Sequence, residues 1–361
     1  MKIIRVVSEL DFGGVEQVLA LSVPRLAEIE GVEILVIVLG RGGNISDKLI
    51  QNGYRIIILN HKVKIPNLKL IRKLKKIFKK EQPHVVHCQG SEANFHGLLA
   101  ARWVGIRMKI GEEIGFPNHH SYWKWIFYMV YLNADKVIAI SNAVKLKILN
   151  LSEVREEKVK VLYNPVDVAK NGSEKFLAEI DSKPSLVFIT TGRLVKIKNY
   201  DTLIRVFSTI VSANPQKSLE LWIVGDGPER SQLEQLALDF KIGNLVKFYG
   251  YQENVRSLLV QADVFVLPSF SEGSSVSLGE AMINGLPSIV TEVGGAGEIL
   301  GGSQSGLLID PLNSRSIFDA INYFINLSKI EKVKMGLRAK LEAQRFLVET
   351  YVVNLLEIYK N

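Results

Sequence analysis

Two glutamates eight positions apart, Glu272 and Glu280, stand in the stretch "SEGSSVSLGEAMINGLPSIVTEVGG", residues 271–295. Glu272 falls in a Ser/Gly loop. Glu280 falls inside a helix that the pattern predicts from about Val276 to Asn284, with Gly285 just past its end. The first N–H groups of a helix have no partner within it, so Gly273, Ser274, Ser275 and Val276 form a candidate anion site. A second loop, in "TTGRLVKIKNYDTLIRVF", places Arg193 and Lys198 ahead of a helix expected to begin near Asn199 or Tyr200. Two cations at a helix start suit a diphosphate, with the guanidinium forking onto two oxygens, although surface charges on a loop explain the pair equally well. Carboxylates accept paired hydrogen bonds from vicinal hydroxyls. Glu280 also lies in a segment apolar enough to bury it, where an unpaired carboxylate is costly. A ligand with a diphosphate in its middle and diols at both ends, a nucleotide-diphospho-sugar, meets all of these groups.

Weaker signals stand at two further turns. Gly13 and Gly14 in "SELDFGGVEQVLALSVPRLAE" let backbone N–H groups approach an anion at a helix start, or simply make a tight turn. They form no G-x-G-x-x-G fingerprint, which disfavours a plain nicotinamide dehydrogenase. Gly225-Asp226-Gly227-Pro228 reads as a turn, with Pro228 suited to the first helical position.

The elements that must carry these loops are short apolar runs alternating with helical patterns. "KIIRVVS", "EILVIVL", "RIIIL", "VVHCQ", "MKIGEE", "KVIAIS" and "KVKVLYN" are the strand candidates of the first half. "SLVFITTG", "LELWIVG", "VKFYG", "VFVLPS", "PSIVT" and "GLLID" are those of the second. Strands with helices between them build parallel sheets by right-handed crossovers. The fold class is therefore α/β, with two Rossmann-like domains facing each other across a cleft. The first is expected over residues 1–168 and a linker over 169–184, inside the polar stretch "VDVAKNGSEKFLAEIDSKPS". The second is expected over 185–344. The last helix, read in "KLEAQRFLVETYVVNLLEIYK", has no strand after it, and its part from about 345 to 361 is expected to pack back on the first domain. In open parallel sheets ligands bind beyond the carboxyl ends of the strands, where these loops lie.

Composition narrows the class. At 361 residues, 47% hydrophobic and 23% charged, the chain can fill two cores and is not disordered. Its one cysteine, Cys88, excludes an internal disulfide or a Cys-based zinc site and suits a reducing cytoplasm. "MKIIRVVSEL" reads as a strand rather than a secretory signal, and no charge-free run is long enough to span a bilayer. The net charge of +8 is uneven: residues 1–170 hold 26 Lys/Arg against 16 Asp/Glu, and residues 55–80 hold ten with no acid.

Motifs along nearly the whole chain resemble the retaining glycosyltransferases of family 4 (glycosyl transferases group 1) with the GT-B fold. In order they are "GGVEQVLALSVPRLA", "PHVVHCQGSEANFHGLLAARWVG", "ADKVIAISNAVK", "VLYNPVD", "GRLVKIKN", "VGDGPERSQLEQLA" and the Glu272–Glu280 pair followed by "GLPSIVTEVGG". The resemblance implies that Arg193 and Lys198 neutralise the donor diphosphate, that Glu280 holds the ribose diol, and that Glu272 contacts the donor sugar. It also implies that Gly13 and Gly14 approach a phosphate or the acceptor from the other domain. No cofactor is implied beyond the nucleotide-diphospho-sugar co-substrate. No metal is implied either, and the sequence has no D-x-D pair. One position departs from the pattern. Where relatives often carry a histidine touching the donor sugar, this chain has Ile114; either Glu113 takes over, or His119 or His120 swings in, or the contact is not needed. The alternatives to a transferase are a nucleotide-sugar-binding assembly subunit without catalysis and a nucleotide-sugar epimerase of the same fold.

The acceptor side is read from charge and aromatics. "PNLKLIRKLKKIFKK" is a basic amphipathic helix, either a solvated surface helix or a docking face for anionic lipid or phosphate. No nucleic-acid motif accompanies it. "HHSYWKWIFYMVY" reads first as core, with a membrane-interface contact as the alternative. Together they point to an anionic membrane surface as partner and a lipid-linked saccharide as acceptor, in capsule, exopolysaccharide or lipopolysaccharide assembly. The protein is then expected in the cytoplasm, peripheral at the inner face of the cell membrane.

Overall fold

A computed structural model describes residues 1–11, 13–120, 122–168, 185–302 and 304–360. The linker expected over 169–184 lies outside the described residues. The chain divides into two compact units, Met1–Pro165 together with Val348–Asn361, and Val166–Leu347.

The first unit is built on the parallel strands β1 (Lys2–Val7), β2 (Glu33–Val38), β3 (Arg55–Ile58), β4 (Val85–Gln89), β5 (Met108–Glu113), β6 (Lys136–Ala139) and β7 (Val159–Val161), in the spatial order 3-2-1-4-5-6-7. Its crossovers are α1 (Gly14–Ala27), α2 (Asn44–Gln51), α3 (Leu68–Glu81), α4 (Ser91–Val104), α5 (Trp123–Tyr131) and α6 (Asn142–Asn150). The strands are largely apolar because both faces of the sheet are covered, with buried polar residues breaking the run in β1, β4 and β5. Along β1, Ile3 and Val7 join the core under α1, whereas Ile4 and Val6 join the core under α3 and α4. The order reverses between β1 and β4, which pair in register from Ile3↔Val85 to Val7↔Gln89.

The second unit contains β8 (Leu186–Thr191), β9 (Leu219–Val224), β10 (Val246–Gly250), β11 (Val264–Leu267), β12 (Ser288–Thr291) and β13 (Gly306–Ile309), all parallel, in the order 10-9-8-11-12-13. Its helices are α7 (Tyr200–Ala213), α8 (Arg230–Asp239), α9 (Arg256–Leu259), α10 (Val276–Ile283), α11 (Ala296–Leu300), α12 (Ser314–Asn326) and α13 (Lys329–Ala343). Here the order reverses between β8 and β11. Every strand read from the sequence is present. Pro228 is not the first helical residue, because α8 begins two positions later, at Arg230.

The final helical stretch is not one helix. It breaks after α13 through a short 3-10 turn, Gln344–Phe346, and resumes as α14 (Val348–Lys360). No glycine or proline marks the break. Instead the Phe346 carbonyl accepts from the Val166 amide at 2.8 Å, so an acceptor of the helix ladder is spent on a distant strand-like segment. α14 belongs to the first unit, where Val348, Tyr351, Val352, Leu355 and Tyr359 are buried in the core beside α1. On that same face lie the alternate strand residues Arg5, His87, Gln89 and Glu112, all buried. They form one chain of contacts: Arg5 Nε donates to Gln89 Oε1 (3.2 Å), Gln89 Nε2 donates to Glu112 Oε1 (3.1 Å), and His87 lies 2.8 Å from both Glu112 Oε2 and the Tyr359 hydroxyl.

Candidate active site

In the second unit the loops after β8 and β11 meet at the switch point of the sheet, where an open α/β sheet takes its ligand. Asn199 locks them together. It is buried, adopts the left-handed conformation (φ 58) open to asparagine, and donates from Nδ2 to the carbonyls of Pro268 and Pro311, each at 3.0 Å. The Phe270 amide bonds to the Ile197 carbonyl at 2.8 Å, which joins the same two loops through their backbones.

Lys198 and Glu272 are brought together, Nζ to Oε2 at 2.8 Å. Arg193, on the same loop as Lys198, is exposed and makes no ion pair among the described residues. Its loop is pressed against the turn after β9. Leu194 donates to the Asp226 carbonyl at 2.9 Å and accepts from the Glu229 amide at 3.1 Å. A Cβ on Gly225 would lie 2.0 Å from the Gly192 carbonyl oxygen, and one on Gly227 would lie 2.4 Å from that of Leu194. These glycines therefore set the path of the loop that carries Arg193.

α10 starts at Val276, capped by the Ser275 hydroxyl, which accepts from the Leu278 amide at 3.2 Å. Ser274 and Ser275 are buried at this mouth, beside Gly273. Glu280, four residues further along, is partly buried and its carboxylate has no hydrogen-bond partner among the described residues. Burial pushes its carboxyl from an ordinary 4.5 up to about 7. Two further buried hydroxyls, Ser269 after β11 and Thr291 at the end of β12, have no partner among the described residues. Sequence reading did not single out Asn199, Ser269 or Thr291. Only Asn199 carried a signal, as an asparagine between a loop and a helix start.

The first unit has its own cavity at its switch point, of about 380 Å³, lined by Ser8, Glu9, Glu16, Gln89, Glu92 and Ile114 among others. Gly13 adopts φ 154 at the start of α1, and Gly14 is the first helical residue. The Glu16 carboxylate folds over this turn, since a Cβ on Gly13 would lie 2.4 Å from it. A phosphate approaching Gly13 and Gly14 therefore meets a carboxylate already placed at the helix dipole. Glu113, at the end of β5, is buried, does not line the cavity, accepts from the Tyr131 hydroxyl, and is pushed up to about 7, chiefly by burial. His119 uses both ring nitrogens, Nδ1 on Glu153 Oε1 (2.8 Å) and Nε2 on Ser91 Oγ (3.3 Å), and stacks on Phe127. Ile114, the position read as a missing histidine, is exposed and faces the cavity.

Two doubly wound parallel sheets, one of them carrying the Lys198–Glu272 pair in the loops at its switch point, define a two-domain α/β protein. Comparison with known proteins makes the class definite. Residues 12–170 match the family model of Glycosyltransferase Family 4, and residues 173–342 that of Glycosyl transferases group 1. The chain belongs to this glycosyltransferase family. The GPI3 subunit of phosphatidylinositol N-acetylglucosaminyltransferase from Saccharomyces cerevisiae is 25% identical over 322 residues, covering 79% of this chain and 71% of its own. An Escherichia coli UDP-Gal:alpha-D-GlcNAc-diphosphoundecaprenol alpha-1,3-galactosyltransferase is 26% identical over 271 residues, 71% of this chain and 70% of its own. Among solved structures, HepE from Anabaena in complex with UDP superposes with a TM-score of 0.82 at 22% identity, over 100% of both chains. The two Rossmann-like domains are thus those of the GT-B architecture.

Proposed function

We propose that the protein is a retaining glycosyltransferase that moves a sugar from a UDP-sugar to a lipid-linked saccharide at an anionic membrane surface. The observation that carries this reading is the set of groups on the loops and helix around the β8–β11 switch point: the Lys198–Glu272 pair, and Arg193 and the Glu280 carboxylate, each without a partner among the described residues. A donor diphosphate at the mouth of α10 supplies anions for Arg193, Lys198 and the helix N-terminus. Ribose hydroxyls supply the hydrogen bonds that Glu280 lacks, and the sugar hydroxyls meet Glu272. As the bond from anomeric carbon to diphosphate breaks, its electron pair leaves with the diphosphate, and the cations are aimed at that growing charge. With retention the acceptor hydroxyl enters on the face the diphosphate leaves, so the departing oxygen is the nearest base for its proton. The chemistry as drawn uses neither a metal nor another cofactor.

The UDP moiety is supported by the HepE complex and by the name of the Escherichia coli relative, which also supports a diphosphoundecaprenol-linked acceptor. The polyol-friendly glutamates of the first unit's cavity suit the saccharide of that acceptor. Membrane docking is supported by the lysine-rich α3; no helix among the described residues is long and apolar enough to cross a bilayer. The test is incubation with a panel of radiolabelled UDP-, GDP- and ADP-sugars and a membrane-lipid fraction. Label entering lipid from a UDP-sugar, with the anomeric configuration kept, is the expected result. Label in lipid from only a GDP- or ADP-sugar, or an inverted product, would reject the reading. Donor binding without transfer would favour an assembly subunit, and an epimerised donor without acceptor an epimerase.

A further inference from the structure

We infer that the groove between α4 and α5 receives an acyl chain of an anionic phospholipid, so that the first unit inserts into the membrane surface rather than only resting on it. This rests on the docking proposed above and names the part that penetrates. α5 was expected to be core, yet only one of its sides is. Phe127, Val130 and Tyr131 are buried, whereas Trp125 is 65% and Met129 60% exposed. With Tyr122 and Leu132 at the helix ends, also exposed, these residues recur at intervals of three and four and so share one face. Between that face and α4 runs a groove of about 390 Å³, walled by Phe95 and Leu99 on one side and Trp125, Ile126 and Met129 on the other. Its one polar neighbour, Asn133, turns its amide onto the carbonyls of Met129 and Val130 (2.8 and 3.2 Å) and offers the groove little.

Charge names the occupant. α4 also packs against α3, and Lys75 of α3 sits 5.2 Å over the ring of Trp103 of α4, itself exposed. Lys124 sits 5.8 Å over the ring of Trp125, at the edge of the groove. The acid of α3, Glu81, is already taken by Lys2 (2.7 Å) and Arg55 (3.1 Å), so the lysines of that helix have no acidic neighbour on it. An apolar slot flanked by lysines and rimmed by tryptophan matches a lipid whose headgroup is anionic and whose chain is hydrocarbon.

The test uses the full chain with vesicles of phosphatidylglycerol and phosphatidylcholine, compared with phosphatidylcholine alone. Trp125→Ser/Met129→Ser alters only exposed side chains, and a second variant replaces Lys73, Lys75, Lys76, Lys79 and Lys80 with Gln. Wild type is expected to keep a bound fraction at high salt and to show tryptophan quenching by chain-brominated lipid. The groove variant should bind at least about tenfold more weakly, lose that quenching and release fully as salt rises. The lysine variant should lose the preference for anionic vesicles. Wild-type-like binding and quenching in the groove variant would overturn the inference while leaving electrostatic docking intact. So would a wild-type dimer that the groove variant converts to monomer, or stronger binding to neutral vesicles doped with polyprenyl phosphate. No vesicle binding by wild type overturns docking and groove together. Sugar transfer to a water-soluble acceptor, measured in parallel, reports the catalytic reading independently of both.

Discussion

Replacing Glu280 with glutamine should make the protein more stable and a poorer enzyme, and the size of both effects follows from one buried carboxyl. Its pKa rises from 4.5 to about 7 because burial disfavours the charge and no partner offsets it. The folded state therefore holds this proton more tightly than the unfolded chain. Stability falls as pH rises from about 4.5, and the whole loss is in place once pH exceeds about 7. At about 1.4 kcal/mol per pKa unit the ionised form costs at most about 3.5 kcal/mol, reduced to about 2 kcal/mol by the water the side chain still meets. Glutamine is the neutral isostere. The variant should gain little at pH 5 and about 2 kcal/mol more at pH 8, read from the urea midpoint of the second unit's transition.

Donor binding should move the other way. A ribose diol donates to a carboxylate, not to a protonated acid, so binding to wild type must expel the bound proton. Titration calorimetry in buffers of different ionisation enthalpy should record about half a proton released per donor at pH 7, and none for Glu280→Gln. Losing a charge-assisted pair of hydrogen bonds should weaken the donor by roughly 10- to 100-fold. Parallel pH–stability curves for the two proteins, together with proton-neutral binding in wild type, would refute the reasoning.

Arg193→Ala and Lys198→Ala should each lower kcat by roughly 100-fold or more, the scale of removing one group aimed at developing charge; near-normal turnover in both would take them out of the site. Gly227→Ala drives a Cβ against the Leu194 carbonyl and should displace the Arg193 loop, costing about 1–3 kcal/mol of stability and most of the activity. Activity equal to wild type in that variant would mean the loop path is not set by the turn. Burial, aided by the positive charge of Arg5, lowers His87 from 6.5 to about 4. Its ring should remain neutral above about pH 5 in an NMR titration. A depressed pKa binds fewer protons folded than unfolded, so the first unit should lose stability as pH falls from about 6.5 toward 4, and Tyr359→Phe, which strips His87 of a partner, should be less stable by about 1–3 kcal/mol at neutral pH.

What could be read from the sequence, and what could not, divides by the range of the interaction responsible. Most strands were legible because a parallel sheet covered on both faces makes its strands runs of mainly apolar residues. α10 was legible for a local reason too: Ser275 caps it and Gly285 follows it. The break before α14 was not, because it depends on a bond from Val166, far away in the chain. The same holds for Glu113, whose fate is decided by Tyr131 on α5, and for His119, whose nitrogens are claimed by Glu153 and Ser91. α5 misled by composition, since nine residues without an acid can still show one side to water.

Glu280 shows how the site itself became legible. Burial of an acid in "SLGEAMINGLPS" calls for a partner, and the sequence alone cannot say whether the fold supplies one. Within the described residues it does not, although the fold is otherwise careful with buried charge: Glu112 meets His87 and Gln89, and Glu153 meets His119. A carboxylate without a partner among the described residues, in a unit whose loops converge at a switch point, is what the proposed binding of a ribose diol requires. The same logic applies to Arg193, a cation without an ion pair among the described residues, on a loop whose course is fixed by Gly225 and Gly227. A cation and a carboxylate that neither pair with each other nor find another partner among the described residues are the two groups that the proposed donor, with its diphosphate and its diol, would complement.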